Sequence, residues 1–209
     1  MITNFYIDGF NLYYRALKDT RFRWLDLRRL AESLFPDDEI RVICYCTALL
    51  NQRPDNPDQP ARQLTYLRAL QTLPGLEIHY GTFRPRTKVR RLAEPIPGLP
   101  AYVRIVDSEE KGTDVNLATR LLVDGFNGAY EQAVVVSNDS DLASPMRYVR
   151  DELRRKVSVV NPDNNNYTHR DLVHAATYVK RLRRSHLRRS QFPPEVSDAQ
   201  GRITKPAGW

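Results

Sequence analysis

The stretch Ala133-Val134-Val135-Val136-Ser137-Asn138-Asp139-Ser140-Asp141 joins an apolar, β-branched run to a polar loop that holds two carboxylates. An uninterrupted apolar run of this kind is typical of a strand buried on both faces. The following residues carry apolar side chains at helical spacing, namely Leu142, Met146, Val149 and Leu153. The stretch therefore predicts a buried strand, an acidic loop and a helix in direct succession.

Strand and helix patterns alternate along the rest of the chain. Short runs with strand character lie at residues 5–7, 41–47, 76–83 and 157–160, and amphipathic helical patterns separate them. This alternation predicts an α/β fold with a mainly parallel sheet of about five strands and helices on both faces. A chain of 209 residues is long enough for one such domain with a full core, which we place at residues 1–182.

The chain is basic, with a formal net charge of +7 and a pI of about 9.5. A basic balance favours a polyanionic partner, nucleic acid first. The positive charge is concentrated in a proline-rich stretch at 84–100, predicted as a long loop or a mobile arm, and in a second cluster between Lys180 and Arg189. Residues 183–209 are predicted as a basic, flexible C-terminal tail. The candidate nucleic-acid contacts are Arg84, Arg86, Lys88, Arg90, Arg91, Arg181 and Arg184. The alternative for these residues is a solvated basic surface that binds nothing.

Several classes of protein are disfavoured. No stretch reaches the roughly 18 apolar residues of a membrane helix, and Asp8 interrupts the apolar run near the N-terminus, so we expect a cytoplasmic protein rather than a secreted or membrane protein. Cys44 and Cys46 alternate along a predicted strand and lack a second Cys or His pair, which favours buried thiols over a zinc site. The four histidines are scattered, and no phosphate-binding loop, dinucleotide fingerprint or serine-hydrolase elbow occurs.

Acidic residues mark three predicted junctions between elements. Asp8 follows the first strand, Asp114 lies at the start of a helix, and Asp139 and Asp141 follow the central strand. Since the carboxyl ends of parallel strands open at one edge of a sheet, we expect these side chains to share a cleft. Clustered carboxylates repel one another unless a cation or protons intervene, and oxygen donors suit Mg²⁺ or Mn²⁺. The alternative is local capping, because Asp and Asn commonly accept hydrogen bonds at helix starts.

Three short blocks resemble the signature blocks of NYN domains, which belong to the PIN-like nuclease superfamily, and the chain looks closest to the LabA-type branch. The blocks are Ile7-Asp8-Gly9-Phe10-Asn11, Lys111-Gly112-Thr113-Asp114-Val115 and Val136-Ser137-Asn138-Asp139-Ser140-Asp141-Leu142. They occur in the family's order, and the resemblance covers about residues 3–182. It implies a PIN-like three-layer α/β fold and Mg²⁺- or Mn²⁺-dependent hydrolysis of RNA that leaves a 5′-phosphate and a 3′-hydroxyl.

The resemblance also implies roles for individual residues. Asp8, Asp114 and Asp139 would form the catalytic, metal-binding set, and Asp141 would be a fourth acid that holds a metal or a water. Asn11 would support the first block, Ser137 and Asn138 would orient the acidic loop, and Lys111 would contact phosphate or balance the acidic charge. The chain departs from the family at Asn138, where many relatives carry Gly, and at residues 84–100, which match no shared motif.

Two further readings stay open beside a metal-dependent ribonuclease. One is a non-catalytic PIN-like module that binds RNA or a protein partner, although four carboxylates in a cleft do not help a protein to bind polyanions. The other is a phosphatase of small phosphoesters, which an Asp-x-Asp loop permits. A phosphoaspartate enzyme needs that loop after its first strand, where this chain has Asp8, Gly9 and Phe10 instead. The sequence leaves the RNA substrate and a homo-oligomeric state open.

Overall fold

A curled, mainly parallel sheet forms the centre of the computed structural model, which describes residues 1–52, 54, 56–163 and 167–209. Within these residues the sheet has seven strands in the order β4-β3-β2-β1-β5-β6-β7. All neighbouring strands run parallel except β3 and β4, which pair antiparallel. The strands are β1 (Ile2–Asp8), β2 (Glu39–Ala48), β3 (Leu76–Arg91), β4 (Tyr102–Lys111), β5 (Gln132–Val136), β6 (Lys156–Asn161) and β7 (Tyr178–Arg181), and a separate hairpin is formed by β8 (Glu195–Asp198) and β9 (Gly201–Thr204).

Helices cover both faces of the sheet. They are α1 (Gly9–Leu12), which continues as a π-helical turn at Tyr13–Leu17, α2 (Leu27–Leu34), α3 (Gln59–Leu70), α4 (Thr113–Phe126), α5 (Ala143–Asp151), α6 (Arg170–Ala175) and α7 (Arg184–Arg189). The predicted α/β architecture with helices on both faces is therefore confirmed. None of the helices in the described residues is long and apolar enough to cross a bilayer.

The central strand β5 explains why the fold has two cores. Side chains alternate across a strand, so Val134 and Val136 point to one face while Ala133 and Val135 point to the other. All four are fully buried, as the apolar run predicts. The first core packs beneath α1, α2, α3 and α7, and the second packs beneath α4, α5 and α6.

The predicted sheet of about five strands is too small, because β4 and β7 extend it at its two edges. The expected long loop at 84–100 is wrong for residues 84–91, whereas residues 92–100 lie outside the strands and helices as expected. Strand β3 continues through the basic residues to Arg91 and pairs residue by residue with β4. Lys88 Nζ lies 2.8 Å from Asp107 Oδ2 and 3.4 Å from Glu109 Oε2, so acidic residues about twenty positions later neutralise part of the basic strand. The two strand segments 82–91 and 102–111, together with residues 92–101 that connect them, are called the β-arm below.

The expected flexible tail at 183–209 is ordered in the structure. Three side chains of this segment are buried in the first core: Leu187 in helix α7, Phe192 between α7 and β8, and Ile203 in β9. The ring of Trp209 lies 6.5 Å from that of Trp24. The segment was misread because its apolar residues are few and widely separated by charges, so no periodic pattern shows which of them are buried.

The two cysteines match their prediction. Cys44 and Cys46 lie on the same side of β2, both buried and both free, with their sulfur atoms 3.8 Å apart.

Candidate active site at the carboxyl edge of the sheet

The ends of β1 and β5 bring Asp8 beside the central acidic loop. The two strands are parallel neighbours with Ile7 opposite Val136, so Asp8 and Ser137 follow at the same level of the sheet. Ser137 Oγ donates a hydrogen bond to Asp8 Oδ2 at 3.0 Å, and the backbone N–H of Asn11 donates to Asp8 Oδ1 at 2.9 Å. Asp8 is thus the N-cap of α1, and only 5% of its surface is exposed. Its carboxylate is held from both sides in one orientation.

The loop after β5 is fixed by a chain of polar contacts. The Asn11 side-chain oxygen accepts from the backbone N–H of Asn138 at 3.0 Å, and Ser137 Oγ accepts from the N–H of Asp139 at 3.1 Å. Asp139 in turn caps the short 3-10 helix Ser140–Leu142, because its Oδ1 accepts from the N–H of Asp141 at 3.0 Å. Asp139 is half-buried and Asp141 is exposed.

Asn138 anchors this loop to the next crossover. Its side-chain oxygen accepts from the backbone N–H of His169 at 2.9 Å, and its side-chain nitrogen donates to the carbonyl of Tyr167 at 2.8 Å. The side chain that differs from the family's usual glycine therefore has a structural role in this chain.

Asp114 reaches the same edge from the start of α4. Gly112 precedes the helix with a φ of +98°, a left-handed conformation that glycine adopts without strain. The Glu110 carboxylate accepts hydrogen bonds from Thr113, at 3.1 Å from its N–H and 2.7 Å from its hydroxyl. Asp114 follows in the first turn, half-buried, and it lines a cleft between α4 and α5 together with Asp141.

Burial and neighbouring carboxylates raise the pKa values of Asp8 and Asp114. Burial raises the pKa of Asp8, and the charge of Asp139 raises it further. Burial and the charges of the other three candidate acids and of Glu110 raise the pKa of Asp114 to about 6. Cys46, opposite Asp8 on β2, has a raised pKa because it hydrogen-bonds to Cys44 and is buried, with further contributions from Asp8 and Asp114.

The donor set fits a hard cation better than a soft one. The candidate ligands are all carboxylates, which suit Mg²⁺ or Mn²⁺. Among the described residues, no group of three His, Cys, Asp or Glu side chains is arranged to hold a metal ion as it stands.

The other predicted site residues lie around this cluster. Lys111 Nζ is 3.8 Å from Glu109 Oε2, so its charge is shared with an acid outside the predicted site. Because β3 side chains alternate, Arg84, Arg86, Lys88 and Arg90 lie on one face of the β-arm and Arg91 on the other. Arg181 and Arg184 border a cleft beside α7, and the Arg184 guanidinium carbon lies 5.9 Å from the Phe22 ring centroid.

Sequence reasoning missed two residues of this site. Glu110 stands next to Lys111 in a charged run, and only its contacts with Thr113 and its effect on Asp114 reveal a role. Tyr45 lies in the β2 strand without any motif; its pKa is raised by burial and by the charge of Asp8. An acid two residues before the Gly-Thr-Asp block was a usable signal for Glu110, whereas the sequence holds none for Tyr45.

Comparison with known proteins agrees with the architecture and with the three blocks. Residues 3–182 match the family model of the NYN domain. The chain is 29% identical, over 238 aligned positions, to the 6-hydroxy-3-succinoylpyridine 3-monooxygenase HspA of Pseudomonas putida, an alignment that covers 99% of this chain and 75% of that protein. A crystal structure of a Vibrio parahaemolyticus protein of unknown function has a similar fold, with a TM-score of 0.53, 16% identity, and coverage of 87% of this chain and 92% of that one. The chain belongs to the NYN domain family, within the PIN-like nuclease superfamily.

Proposed function

We propose that the protein is a metal-dependent ribonuclease that hydrolyses RNA phosphodiester bonds at the acidic cluster. The observation that carries the proposal is the convergence of Asp8, Asp114 and Asp139 from three separate segments. Burial raises the pKa of both Asp8 and Asp114; the charge of Asp139 adds to each shift, and the charge of Asp8 adds to that of Asp114. A fold gains no stability from such an arrangement. The need for oxygen ligands beside a phosphodiester explains it, and NYN domains belong to a nuclease superfamily.

Residues of this chain would orient the metal-binding carboxylates and accept the proton of the attacking water. Ser137 and the Asn11 N–H hold the Asp8 carboxylate, and the Asp141 N–H holds that of Asp139. Asp8, Asp114 and Asp139 would hold Mg²⁺ or Mn²⁺, which when bound activates water and offsets negative charge on the phosphate. Asp141 is exposed at the rim, where its carboxylate can accept a proton from an attacking water.

On this proposal the basic residues would hold the RNA backbone on both sides of the cluster. The β-arm lies at one end of the sheet and β7 at the other, with β1 and β5 between them. Five strand spacings separate β3 from β7, about 24 Å in all. Contacts of Arg and Lys with phosphates would make the affinity fall steeply with salt.

The test is cleavage of a labelled mixed RNA pool with Mn²⁺, Mg²⁺ or EDTA, using wild type and Asp139→Asn. Asn keeps the shape of the side chain and can still cap the 3-10 helix, but it removes the charge. The matched control is Asp37→Asn, the same change at an exposed carboxylate in the turn before β2, at the opposite end of the strands. We expect metal-dependent cleavage by wild type and Asp37→Asn, and none by Asp139→Asn.

Equal cleavage by all three proteins would indicate a contaminating nuclease and contradict the proposal. RNA binding that persists in EDTA, without cleavage under any condition, would favour the non-catalytic RNA-binding module instead.

A second candidate function is hydroxylation of an aromatic heterocycle. The relative from Pseudomonas putida is named for that reaction, and this chain has a cleft beside Gly9 that is lined largely by aromatic side chains. Oxygen insertion requires molecular oxygen and a reductant, so the test is oxygen uptake with 6-hydroxy-3-succinoylpyridine and a reduced nicotinamide or flavin. Substrate-dependent uptake that Asp139→Asn abolishes would favour this function over RNA hydrolysis.

A further inference from the structure

The β-arm is a two-stranded ribbon with two outer edges. Strand β3 pairs with β2 only as far as Gly81, and β4 is the outermost strand of the sheet. In the part of the chain that the structure describes, no strand pairs with the outer side of either arm segment. Alternate residues of an antiparallel strand direct their N–H and C=O groups to opposite edges. Each outer edge is therefore a template on which another strand can pair.

The two edges differ in how well they are protected against such pairing. On β3, Pro85 has no N–H group to donate, and five cations would repel a second copy of the same strand. These cations are Arg84, Arg86, Lys88, Arg90 and Arg91. Strand β4 has no proline, and its ten residues pair with β3 without a register shift. Its exposed apolar side chains include Val106 at 82%, Tyr102 at 61% and Ile105 at 39%, so its edge is the open one.

The sequence of β4 is complementary to itself in the antiparallel direction. Its first half, residues 102–106, carries one positive charge and four uncharged side chains. Its second half, residues 107–111, carries three acids and one lysine. Antiparallel pairing places each half beside the other half of the partner strand, whereas parallel pairing would place the two acidic halves together. Two copies of β4 therefore bring opposite charges together only when they run antiparallel.

A two-fold axis at Val106 fits this pairing. Residues directly opposite each other in an antiparallel pair lie on the same face, so a symmetric pair places one residue opposite its own copy. An axis at Arg104 or Asp107 would bring like charges together. With the axis at Val106, the most exposed valine of the strand meets its own copy, and Tyr102 lies opposite the Glu110 of the second copy.

We propose that two copies of this chain pair through the outer edge of β4, so that one sheet continues across a homodimer. A second copy is favoured over an unrelated strand because the charges of β4 match those of its own reversed sequence. Arg84, Arg86 and Arg90 lie on the face of the β-arm opposite Val106, so the pairing joins the basic faces of two arms into one surface. The inference does not rest on the proposed ribonuclease function.

The test is sedimentation velocity of the full chain without RNA, at concentrations from about 1 to 100 µM, which bracket micromolar affinities. Val106→Lys places two lysines opposite each other at the proposed axis. The matched control is Val89→Lys, the same change at a 61% exposed valine on the same face of the β-arm but on β3. Circular dichroism of each variant establishes that it is folded.

We expect wild type and Val89→Lys to form dimers as the concentration rises. Val106→Lys should raise the dissociation constant by at least about tenfold, because like charges would meet at the axis. In a second measurement, oxidation should link two copies of Val106→Cys by a disulfide but should not link Val89→Cys. The native thiols of Cys44 and Cys46 are buried and should not react.

Four results would overturn the proposal. The first is a wild type that remains monomeric at every concentration, and the second is a species larger than a dimer, which would indicate head-to-tail pairing of β4 with β3. The third is an equal effect of the two lysine substitutions, since the interface would then be a face of the β-arm or another surface. The fourth is a Val106→Cys protein that forms no linked dimer.

Discussion

Asp114 shows, at the scale of a single residue, how burial and neighbouring carboxylates affect stability. Its pKa of about 6 in the folded protein lies above the ordinary value of 3.8, so the native state binds this proton more tightly than the unfolded state does. The free energy of unfolding therefore falls as pH rises from about 4 to about 6, and it does not recover above that range.

Asp114→Asn should abolish the fall in the free energy of unfolding that the titration of Asp114 causes. In EDTA we expect the variant to be more stable than wild type at pH 7 by an amount on the order of 1 kcal/mol, after allowance for solvent screening of a half-exposed group. Below about pH 4 the two proteins should be equally stable. Urea denaturation of both proteins at pH 4, 5, 6 and 7 measures the difference. If the free energy of unfolding changed with pH in the same way in both proteins, the raised pKa of Asp114 would be contradicted.

Gly9 is the second residue whose identity has a direct structural reason. An added Cβ would meet the Tyr45 ring and the Cys46 carbonyl at less than 3 Å, and the backbone cannot easily yield there. We expect Gly9→Ala to lower the free energy of unfolding by about 1–3 kcal/mol, as overpacking of a core does. The control is Gly98→Ala, where nothing lies within 4 Å and only the cost of a left-handed φ applies. Chemical denaturation that ranks Gly98→Ala as the more damaging change would refute this account.

At the scale of elements, the β-arm is a two-stranded extension of a larger sheet. Strand β3 pairs with β2 only through Gly81, and from Thr82 onwards it pairs with β4. Ten residues of strand span about 33 Å, and an isolated two-stranded ribbon contributes little to the stability of the body. Arg84, Arg86 and Arg90 are exposed on one face of the β-arm, so we expect it to contribute to RNA binding instead.

Shortening the β-arm tests that explanation. Phe83 and Glu110 are directly opposite, so residues 84–109 can be replaced by Asn-Gly, a two-residue turn that suits a hairpin. We expect the thermal midpoint to stay within a few degrees, while RNA affinity and its salt dependence both fall. A full-length variant with Arg84, Arg86, Arg90 and Arg91 changed to Gln controls for loss of charge alone. If the shortened variant had the same slope of log affinity against log salt concentration as wild type, the β-arm would not be part of the RNA-binding surface.

At the scale of the whole molecule, the C-terminal segment completes the first core. Leu187, Phe192 and Ile203 are buried there, although they lie beyond the residues that match the family model. Burial of a large apolar side chain stabilises a fold by about 1.5–3 kcal/mol. The body and this segment should therefore unfold as one cooperative unit.

Truncation after Leu182 should be severe. Loss of three large buried side chains predicts a destabilisation of roughly 5 kcal/mol, a large share of the stability of a typical domain. Thermal denaturation followed by circular dichroism measures it, with Trp209→Ala as a milder comparison that removes only the ring packed near Trp24. An unchanged midpoint in the truncated protein would show that the segment is dispensable for folding.

The sequence by itself determined the features that depend on neighbouring residues or on a general rule of topology. The run at 133–141 specifies a strand, a loop and a helix because its side chains alternate and then repeat at fixed short spacings. The meeting of Asp8 with the acidic loop of Asp139 was predictable because β1 and β5 are parallel strands, which present their carboxyl ends together. Asp114 instead follows the antiparallel strand β4, so that rule does not explain its position.

Only the tertiary structure decided which distant segments meet. The pairing of Lys88 with Asp107 and the burial of Leu187 have no periodic signature. The aromatic cleft likewise joins Phe10 to Trp209 from opposite ends of the chain. Local spacing cannot encode such contacts, since they arise when the folded backbone brings complementary charge and apolar surface together and removes them from water.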